Sequence, residues 1–358
     1  MRARYALAVA AAAALGCGAS SAGAAPQAPP LGRLVGETIV GALAAPPSPS
    51  FLARVRAGLL GGVILTGRWS SQSVMASTTA RLQAAACQAG APLLVGVDQE
   101  GGAVRRLPWA EPFDSPAALG RLDDPDRVEK EAADAAVDLR LAGVDVDFAP
   151  VADTVSVPAS FLGSRAFSSD PAVVSTLSAA FVQGLQSVGV AATAKHFPGL
   201  GAAPANTDAG PVVVKASAAQ LERGLAPFRG AIAAGTRLVM ISNASYPALD
   251  PTGTPAVFSR RIVSGLLRGT LGFGGVVVTD ALDAPAPART PHAPARAIGA
   301  GVDLLLYTGE GASEAGYASL LADASRSPRL RQQLGWADAR IDALKQWLTD
   351  GGGPYCAG

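Results

Sequence analysis

Short runs of β-branched and aliphatic residues recur along the chain, separated by longer Ala- and Leu-rich stretches in which apolar residues have a helical spacing. Most of the short runs are continuously apolar rather than alternating, as strands buried on both faces of a parallel sheet require. They predict eight strands: Thr38–Val40, Gly62–Leu65, Leu93–Val97, Val144–Phe148, Ala192–Lys195, Leu238–Ile241, Gly275–Val278 and Val302–Leu306.

The intervening stretches predict helices that cover such a sheet. Between Ser217 and Ala234 apolar residues recur on one face, and Ser217 with Gln220 forms a candidate capping box. Ser259–Arg268 has a similar spacing. Strands alternating with helices predict an α/β fold, a single (β/α)8 TIM-type barrel, with an open doubly wound sheet as the alternative.

The two ends of the chain differ in composition from the region between them. A basic start, a short apolar run and the small residues Ala22–Ala24 predict a secretory signal over residues 1–24. Cys17 marks an alternative, the lipid-bearing cysteine of a bacterial lipoprotein. We expect a linker over 25–31, the barrel domain over 32–350 and a flexible tail over 351–358.

This start of the chain predicts an extracytoplasmic protein, secreted or in the cell envelope, with a lipid anchor if Cys17 is the processed residue. Apart from that anchor we expect no membrane insertion, because no later segment has the roughly 18 uninterrupted apolar residues of a transmembrane helix. An oxidising compartment permits a disulfide between Cys87 and Cys356, but two cysteines alone do not decide between a disulfide and separate thiols.

Composition argues against several classes of function. The net charge is +1 at pH 7 and no basic cluster is present, so we expect no nucleic-acid partner. The chain has 2 histidines and no Cys/His pair at a metal-ligand spacing, so we expect no metal site and no other cofactor. With 49% apolar residues it can bury a large core, and we expect a monomer acting on a small or neutral molecule.

Polar residues follow several of the predicted strands directly. They are Asp98-Gln99-Glu100-Gly101-Gly102, Lys195-His196, Ser242-Asn243 and Thr279-Asp280. In a barrel these positions share one rim, where catalytic groups lie. Glycoside hydrolysis needs a carboxylate at the anomeric carbon, an acid for the leaving oxygen and polar groups for the sugar hydroxyls. Asp280 is the candidate nucleophile, and a helix cap or a rim salt bridge is its structural alternative.

Six motifs occur in order over nearly the whole chain that follows the predicted signal. They are Val97–Leu107, Val146–Asp153, Ser164–Phe167, Ala194–Gly199, Tyr246–Asp250 and Gly275–Leu282. Together they resemble glycoside hydrolase family 3, specifically its N-terminal barrel domain as found in single-domain bacterial β-N-acetylglucosaminidases. The resemblance implies a carbohydrate substrate and a retaining β-glycosidase that hydrolyses terminal β-linked sugars, first of all β-N-acetylglucosaminides of cell-wall material or oligosaccharides.

The resemblance also implies roles for single residues. Asp280 becomes the nucleophile that forms a covalent glycosyl-enzyme intermediate. Asp147 and Asp153 match family positions as well, and we interpret Asp147 as structural. The positions that hold the sugar at the non-reducing end are Asp98, Arg106, Arg165, Lys195 and His196.

The acid side of the site departs from the family pattern. In the N-acetylglucosaminidases of this family, the loop after Lys-His-Phe-Pro-Gly carries an Asp-Ser-His element whose His, polarised by the Asp, is the general acid/base. This chain has Asn206-Thr207-Asp208 there. A carboxyl group can do this work if burial or the charge of Asp280 raises its pKa, so Asp208 is the candidate acid/base. The same residues are also good turn formers.

Two further positions bear on specificity. Asn243 stands where the family often carries His, which weakens the inference of an N-acetylhexosamine substrate. His292 lies in a Pro- and Ala-rich loop after Asp280, and we interpret it as a solvated loop residue rather than one that swings over the site.

Two other functions are consistent with the same rim. A catalytically impaired sugar-binding protein would keep the subsite without the acid. A barrel lyase or aldolase would use Lys195 as a Schiff-base amine.

Overall fold

The computed structural model describes residues 29–157, 160–309, 311–351 and 356. Eight of the strands within these residues form one parallel sheet, and β4 with β5 forms a short antiparallel hairpin. In chain order the strands are β1 Ile39–Leu43, β2 Gly62–Leu65, β3 Leu94–Val97, β4 Gln99–Gly101, β5 Val104–Arg105, β6 Val146–Asp147, β7 Ala191–Phe197, β8 Leu238–Ile241, β9 Val276–Thr279 and β10 Leu305–Leu306.

The parallel sheet closes on itself. Its strand order is β10-β1-β2-β3-β6-β7-β8-β9. The two end strands are joined by a parallel bridge between Val278 and Leu304, and the amide of Thr279 donates to the carbonyl of Leu304 at 2.9 Å. Closure leaves no sheet edge, so the predicted barrel is confirmed and the open doubly wound sheet is wrong. Each of the eight predicted strands overlaps an observed one.

Helices connect the barrel strands and surround the sheet. In chain order they are α1 Leu31–Glu37, α2 Pro49–Arg56, α3 Gln72–Gln88, α4 Pro116–Leu122, α5 Pro125–Leu141, α6 Pro171–Ser187, α7 Ala218–Gly224, α8 Ala226–Ala233, α9 Pro285–Ala288, α10 Ala293–Ala300, α11 Ala312–Arg326 and α12 Pro328–Asp350. Two 3₁₀ turns, Gly163–Arg165 and Ala256–Phe258, and a π-helical segment, Arg261–Thr270, complete them.

Two of the predicted helices differ in detail from the observed ones. The capping box of Ser217 and Gln220 is present at the start of α7. The continuous helix predicted as far as Ala234 is wrong, because α7 ends at Gly224 and α8 begins at Ala226. Pro227, in the first turn of α8, lacks an amide hydrogen and therefore favours a new helix start. The helix predicted over Ser259–Arg268 runs instead from Arg261 to Thr270.

Helix α12 lies across the amino-terminal end of the barrel. Its Ile341, Leu344 and Leu348 pack with apolar side chains of the barrel interior. Its Lys345 pairs with Glu37, the last residue of α1, at 2.5 Å. With this end closed, the barrel interior is accessible from the carboxyl-terminal ends of the strands.

Several terminal predictions fall outside the described residues. The secretory signal, Cys17 and most of the linker lie there, so the predicted domain bounds stay predictions. Cys356 is described, and it forms a disulfide with Cys87 at the end of α3, with 5.3 Å between the two Cα atoms. In the part of the chain with described coordinates, no helix is both long and apolar enough to cross a membrane.

Candidate active site

A cavity of about 240 Å³ opens at the carboxyl-terminal ends of the barrel strands. It is lined by all seven residues to which the sequence analysis assigns a catalytic or sugar-holding role. Its lining comprises Ile64, Asp98, Glu100, Val104, Arg106, Phe161, Arg165, Lys195, His196, Leu200, Asn206, Asp208, Met240, Asp280, Ala281, Leu306 and Thr308. The lining therefore draws side chains from β2, β4, β5, β7, β8 and β10 and from the segments between strands, among them Asp98 directly after β3 and Asp280 directly after β9.

One wall of the cavity is a continuous chain of ion pairs. Lys195 Nζ lies 2.7 Å from Asp98 Oδ1 and 2.6 Å from Glu100 Oε1. Arg165 contacts both oxygens of Glu100, through Nε and Nη2, each at 2.8 Å. Arg106 joins the other end more loosely, with Nη2 3.8 Å from Asp98 Oδ2. The order along this wall is Arg106, Asp98, Lys195, Glu100, Arg165, and we call it the charge chain.

The pairing keeps Glu100 and Lys195 ionised despite their burial. Burial by itself raises the pKa of Glu100, but the charges and hydrogen bonds of Lys195 and Arg165 lower it to about 2. Burial lowers the pKa of Lys195, and the carboxylates of Asp98 and Glu100 outweigh this and raise it. A lysine held as an ammonium between two carboxylates is a poor Schiff-base amine, because the nucleophile in that chemistry is the neutral amine.

The cavity is also lined by a buried histidine, whose carboxylate partner lies behind the lining. His196 Nδ1 lies 2.7 Å from Asp153 Oδ2, and Asp153 has no solvent exposure. The other oxygen of Asp153 accepts from the amides of His196 and Leu200, at 3.3 and 2.6 Å. The carboxylate therefore fixes the ring and the following loop together. His196 lies close enough to Asp280 for its charge to lower the pKa of that carboxyl group.

Asp280 follows β9 and is partly exposed to the cavity. Its amide donates to Ile241 of the neighbouring strand at 2.9 Å, and its Oδ1 accepts from the amide of Ala281 at 2.7 Å. Burial raises its pKa, the charge of His196 lowers it, and the negative charge of Asp208 raises it. Strand pairing thus fixes the backbone of Asp280, and a local hydrogen bond orients its carboxylate.

Asp208 lies in the loop between β7 and α7, at the exposed rim of the cavity. The Asn206 amide nitrogen donates to Asp208 Oδ2 at 3.3 Å, and the backbone amide of Asp208 donates to Asn206 Oδ1 at 3.0 Å. The sequence anticipated this local turn. Asp208 and Asp280 line the same cavity, as an acid/base and a nucleophile must.

Other candidate residues lie outside the cavity lining. Asp147 is fully buried and accepts from the amide of Gln99 at 3.0 Å, which agrees with a structural interpretation. Asn243 is buried, and its amide nitrogen donates to the carbonyl of Ala281 at 2.9 Å. His292 is 65% exposed and pairs with Asp323 at 2.9 Å, so it does not reach the cavity.

Two charged residues without an assigned role in the sequence analysis also take part in the site. Glu100 links Lys195 to Arg165, and Asp153 orients His196. A signal for Glu100 was present, because residues 98 and 100 have the same parity in an extended segment and therefore point to the same side. Nothing in the sequence signalled which cation or ring each carboxylate would meet.

Two glycines shape the turn between β4 and β5. Gly101 and Gly102 have φ angles of 104° and 57°, which L side chains rarely adopt. A Cβ on Gly101 would lie 2.4 Å from the carbonyl oxygen of Asp114. Turn geometry and packing against the protein's own backbone therefore account for both glycines, rather than the approach of a ligand.

In the described part of the chain, no group of three or more His, Cys, Asp or Glu side chains is arranged to hold a metal ion. The carboxylates of the site meet cationic side chains instead: Asp98 and Glu100 contact Lys195, and Glu100 also contacts Arg165.

Comparison with known proteins identifies the family. Residues 45–341 match the model of the glycosyl hydrolase family 3 N-terminal domain. A beta-hexosaminidase of Stenotrophomonas maltophilia is 37% identical over 257 residues, which are 68% of this chain and 75% of that protein. An uncharacterized secreted glycosyl hydrolase of Arthroderma benhamiae is 32% identical over 317 residues, covering 85% of this chain and 89% of that protein.

The solved structures agree with the sequence relatives. The crystal structure of a beta-N-acetylhexosaminidase from Beutenbergia cavernae has a TM-score of 0.82 at 34% identity, covering 89% of this chain and 99% of that one. These matches confirm the resemblance inferred from the six ordered motifs. The chain belongs to glycosyl hydrolase family 3, whose N-terminal barrel domain it contains, and it is a glycosidase.

Proposed function

We propose that this protein is a retaining β-glycosidase that releases terminal β-N-acetylglucosamine or a closely related sugar from cell-wall material or oligosaccharides. The observation that carries the proposal is the placement of Asp280 and Asp208 in one small cavity with the five predicted sugar-holding side chains. The printed names of the relatives, beta-hexosaminidase and beta-N-acetylhexosaminidase, support the choice of sugar.

In the first chemical step Asp280 attacks the anomeric carbon. A bond forms between its carboxylate oxygen and that carbon while the glycosidic C–O bond breaks, and Asp208 gives its proton to the leaving oxygen. In the second step Asp208 accepts a proton from water, the water oxygen bonds to the anomeric carbon, and Asp280 is released. Two displacements on opposite faces of the sugar retain its configuration.

The charge chain and His196 hold the sugar in this proposal. Lys195, Arg165 and Arg106 supply N–H donors, and Asp98 supplies acceptor lone pairs for sugar hydroxyls. His196 presents its second ring nitrogen, since Nδ1 is engaged by Asp153. Because the ion pairs already fix Lys195 and Arg165, little side-chain entropy is lost when a sugar binds.

We further propose that residues 32–350 act as one monomeric barrel domain and that the protein works outside the cytoplasm. The name of the secreted relative and the disulfide between Cys87 and Cys356 support that location. Release of residues 1–24, or lipidation at Cys17, would be seen as a mass change of the mature protein.

A panel of aryl β-glycosides, with and without a 2-acetamido group, tests activity and sugar class together. We expect the 2-acetamido glucoside to be the best substrate, and the first product seen by NMR to be the β-anomer. An α-anomer as first product would remove the retaining mechanism. If the protein hydrolyses none of these glycosides, the proposal that it acts on such sugars fails.

The exposed position of Asp208 favours one alternative, a sugar-binding protein with impaired catalysis. Asp208 accepts a hydrogen bond from Asn206, where the family's dyad has an Asp beside a His. An aryl glycoside with a good leaving group needs little acid assistance, so an intact Asp280 alone should give a burst of phenol. Binding of the sugar with no burst would favour the alternative.

A further inference from the structure

In one carboxylate of the charge chain, both oxygens contact cationic side chains of the protein itself. Glu100 is 1% exposed, and its two oxygens receive three contacts of 2.6 to 2.8 Å from Lys195 and Arg165. A carboxylate so engaged has little capacity left to accept from a sugar hydroxyl. Its role in the cavity is therefore set by its charge and by the two cations that it holds.

The charges that line the cavity are nearly balanced. The charge chain holds three cations against the carboxylates of Asp98 and Glu100, and Asp280 in the same lining supplies a third carboxylate. Asp208 adds a fourth carboxylate at the exposed rim, where solvent screens it. Lys195 and Arg165 thus offer hydrogen-bond donors to a ligand without an excess of positive charge.

We propose that Glu100 is a specificity-determining and positioning residue that makes the sugar subsite selective for neutral over anionic sugars. The inference rests on the proposed function, because it assumes that the cavity holds a sugar. Without Glu100 the same cations would form a positive patch, which would attract a carboxylate- or phosphate-bearing sugar. With Glu100 in place an anionic sugar gains little attraction and must still lose its hydration.

A matched pair of ligands separates charge from shape. N-acetylglucosamine is neutral, and its C6-oxidised analogue, 2-acetamido-2-deoxyglucuronic acid, has almost the same shape with one carboxylate. Calorimetry at pH 7 gives the two dissociation constants and their ratio. We expect wild-type protein to prefer the neutral sugar. Glu100→Gln should shift the ratio toward the anionic sugar by roughly tenfold or more, because the cations that Glu100 pairs with would then attract the carboxylate.

Three further variants test whether charge, rather than damage to the fold, causes the shift. Glu100→Asp keeps the charge and should keep the wild-type ratio even if both affinities fall. The double variant Glu100→Gln/Arg165→Gln restores the charge balance and should return the ratio toward wild type. Glu222→Gln breaks an exposed ion pair of 2.7 Å with Arg229 and should leave both affinities unchanged.

The outcomes distinguish the inference from the function on which it rests. If wild-type protein binds neither ligand, the proposed sugar function fails. If it binds the neutral sugar and Glu100→Gln leaves the ratio unchanged, the role of Glu100 is overturned. Should Glu100→Gln fail to fold, as judged by circular dichroism, Asp98→Asn carries the test. Asp98 belongs to the same chain, its side chain is 19% exposed, and its neutralisation should shift the ratio in the same direction.

Discussion

Asp153 Oδ2 lies 2.7 Å from His196 Nδ1, so a fully buried carboxylate determines which ring nitrogen of this histidine faces the cavity. The same carboxylate accepts from the amide of Leu200 at 2.6 Å and so ties the histidine to the start of the loop that carries Asp208. Asp153, which does not itself line the cavity, thus connects His196 to the loop that carries Asp208.

Asp153→Asn should change the tautomer of His196. An Asn amide that donates to Nδ1 makes this nitrogen an acceptor and moves the ring proton to Nε2. We expect kcat/KM to fall by roughly tenfold or more. This loss should be smaller than the ~10⁴-fold loss seen when a general base loses its orienting carboxylate. Nitrogen NMR of the ring reports the tautomer directly. His292 supplies the internal control, because the chain has 2 histidines and this one pairs with Asp323. An unchanged tautomer would contradict the prediction.

Asp280→Asn should abolish turnover of an aryl β-glycoside while the fold remains intact. An amide oxygen is a poor nucleophile, and losses of roughly 10³-fold or more are common when a nucleophile is removed. Initial rates measure the effect, and circular dichroism checks the fold. The matched control is Asp126→Asn, an exposed carboxylate in the first turn of α5. Turnover that matches wild type would remove Asp280 from the mechanism.

Asp208→Ala should affect substrates according to their leaving groups. Acid catalysis contributes about 10²–10⁴-fold when the leaving group is poor, and much less for a nitrophenolate. We therefore expect a large loss of kcat/KM on a natural disaccharide and a small one on the aryl glycoside. Azide should restore part of the second step and yield a β-glycosyl azide. Equal losses on both substrates, without azide rescue, would show that Asp208 is not the acid/base.

Removal of the disulfide should lower stability and leave activity unchanged. The disulfide joins Cys87 to Cys356 across 269 residues and lies at the end of α3, outside the cavity lining. The variant Cys87→Ser/Cys356→Ser should lose about 2–5 kcal/mol of unfolding free energy, because the unfolded chain regains conformational freedom. Denaturant titration measures the loss, and kcat/KM serves as the control. Two free thiols by mass spectrometry in the secreted wild-type protein would contradict the pairing.

Asp145 should make stability depend on pH. Burial raises its pKa to about 7, and the hydrogen bond from the Val95 amide and the charges of Arg140 and Lys345 lower it in part. The folded state therefore holds a proton that the unfolded state releases near pH 4, so stability falls as pH rises from about 4 to 7. Asp145→Asn should not show this loss. The unfolding free energy of the variant minus that of wild type should therefore be higher at pH 8 than at pH 5, by a few kcal/mol.

Denaturant titrations at the two pH values give this difference. The control is Asp123→Asn, because this exposed residue follows α4 in a left-handed conformation that Asn also tolerates. A stability difference between Asp145→Asn and wild type that does not change with pH would contradict the prediction.

Much of the barrel could be predicted because its strands are continuously apolar and regularly spaced. The bounds of a helix are harder to predict where a proline intervenes, as at Pro227, because the apolar spacing continues through the break between α7 and α8. The rim positions of Asp98, Lys195 and Asp280 followed from their places directly after strands. Whether Asp208 shares a cavity with Asp280 depended on the course of the loop before α7, which no local pattern specifies.

The sequence by itself determined the fold class, the family and the rim on which the polar residues lie, because strand burial and strand direction follow from local patterns. Only the tertiary structure decided the partners. Glu100 contacts Lys195 and also Arg165, which is 65 positions away in sequence. Asp153 contacts His196 across 43 positions, and Cys87 is bonded to Cys356 across 269. A salt bridge or a disulfide requires atoms within a few ångströms of each other, and that proximity arises only when the barrel closes.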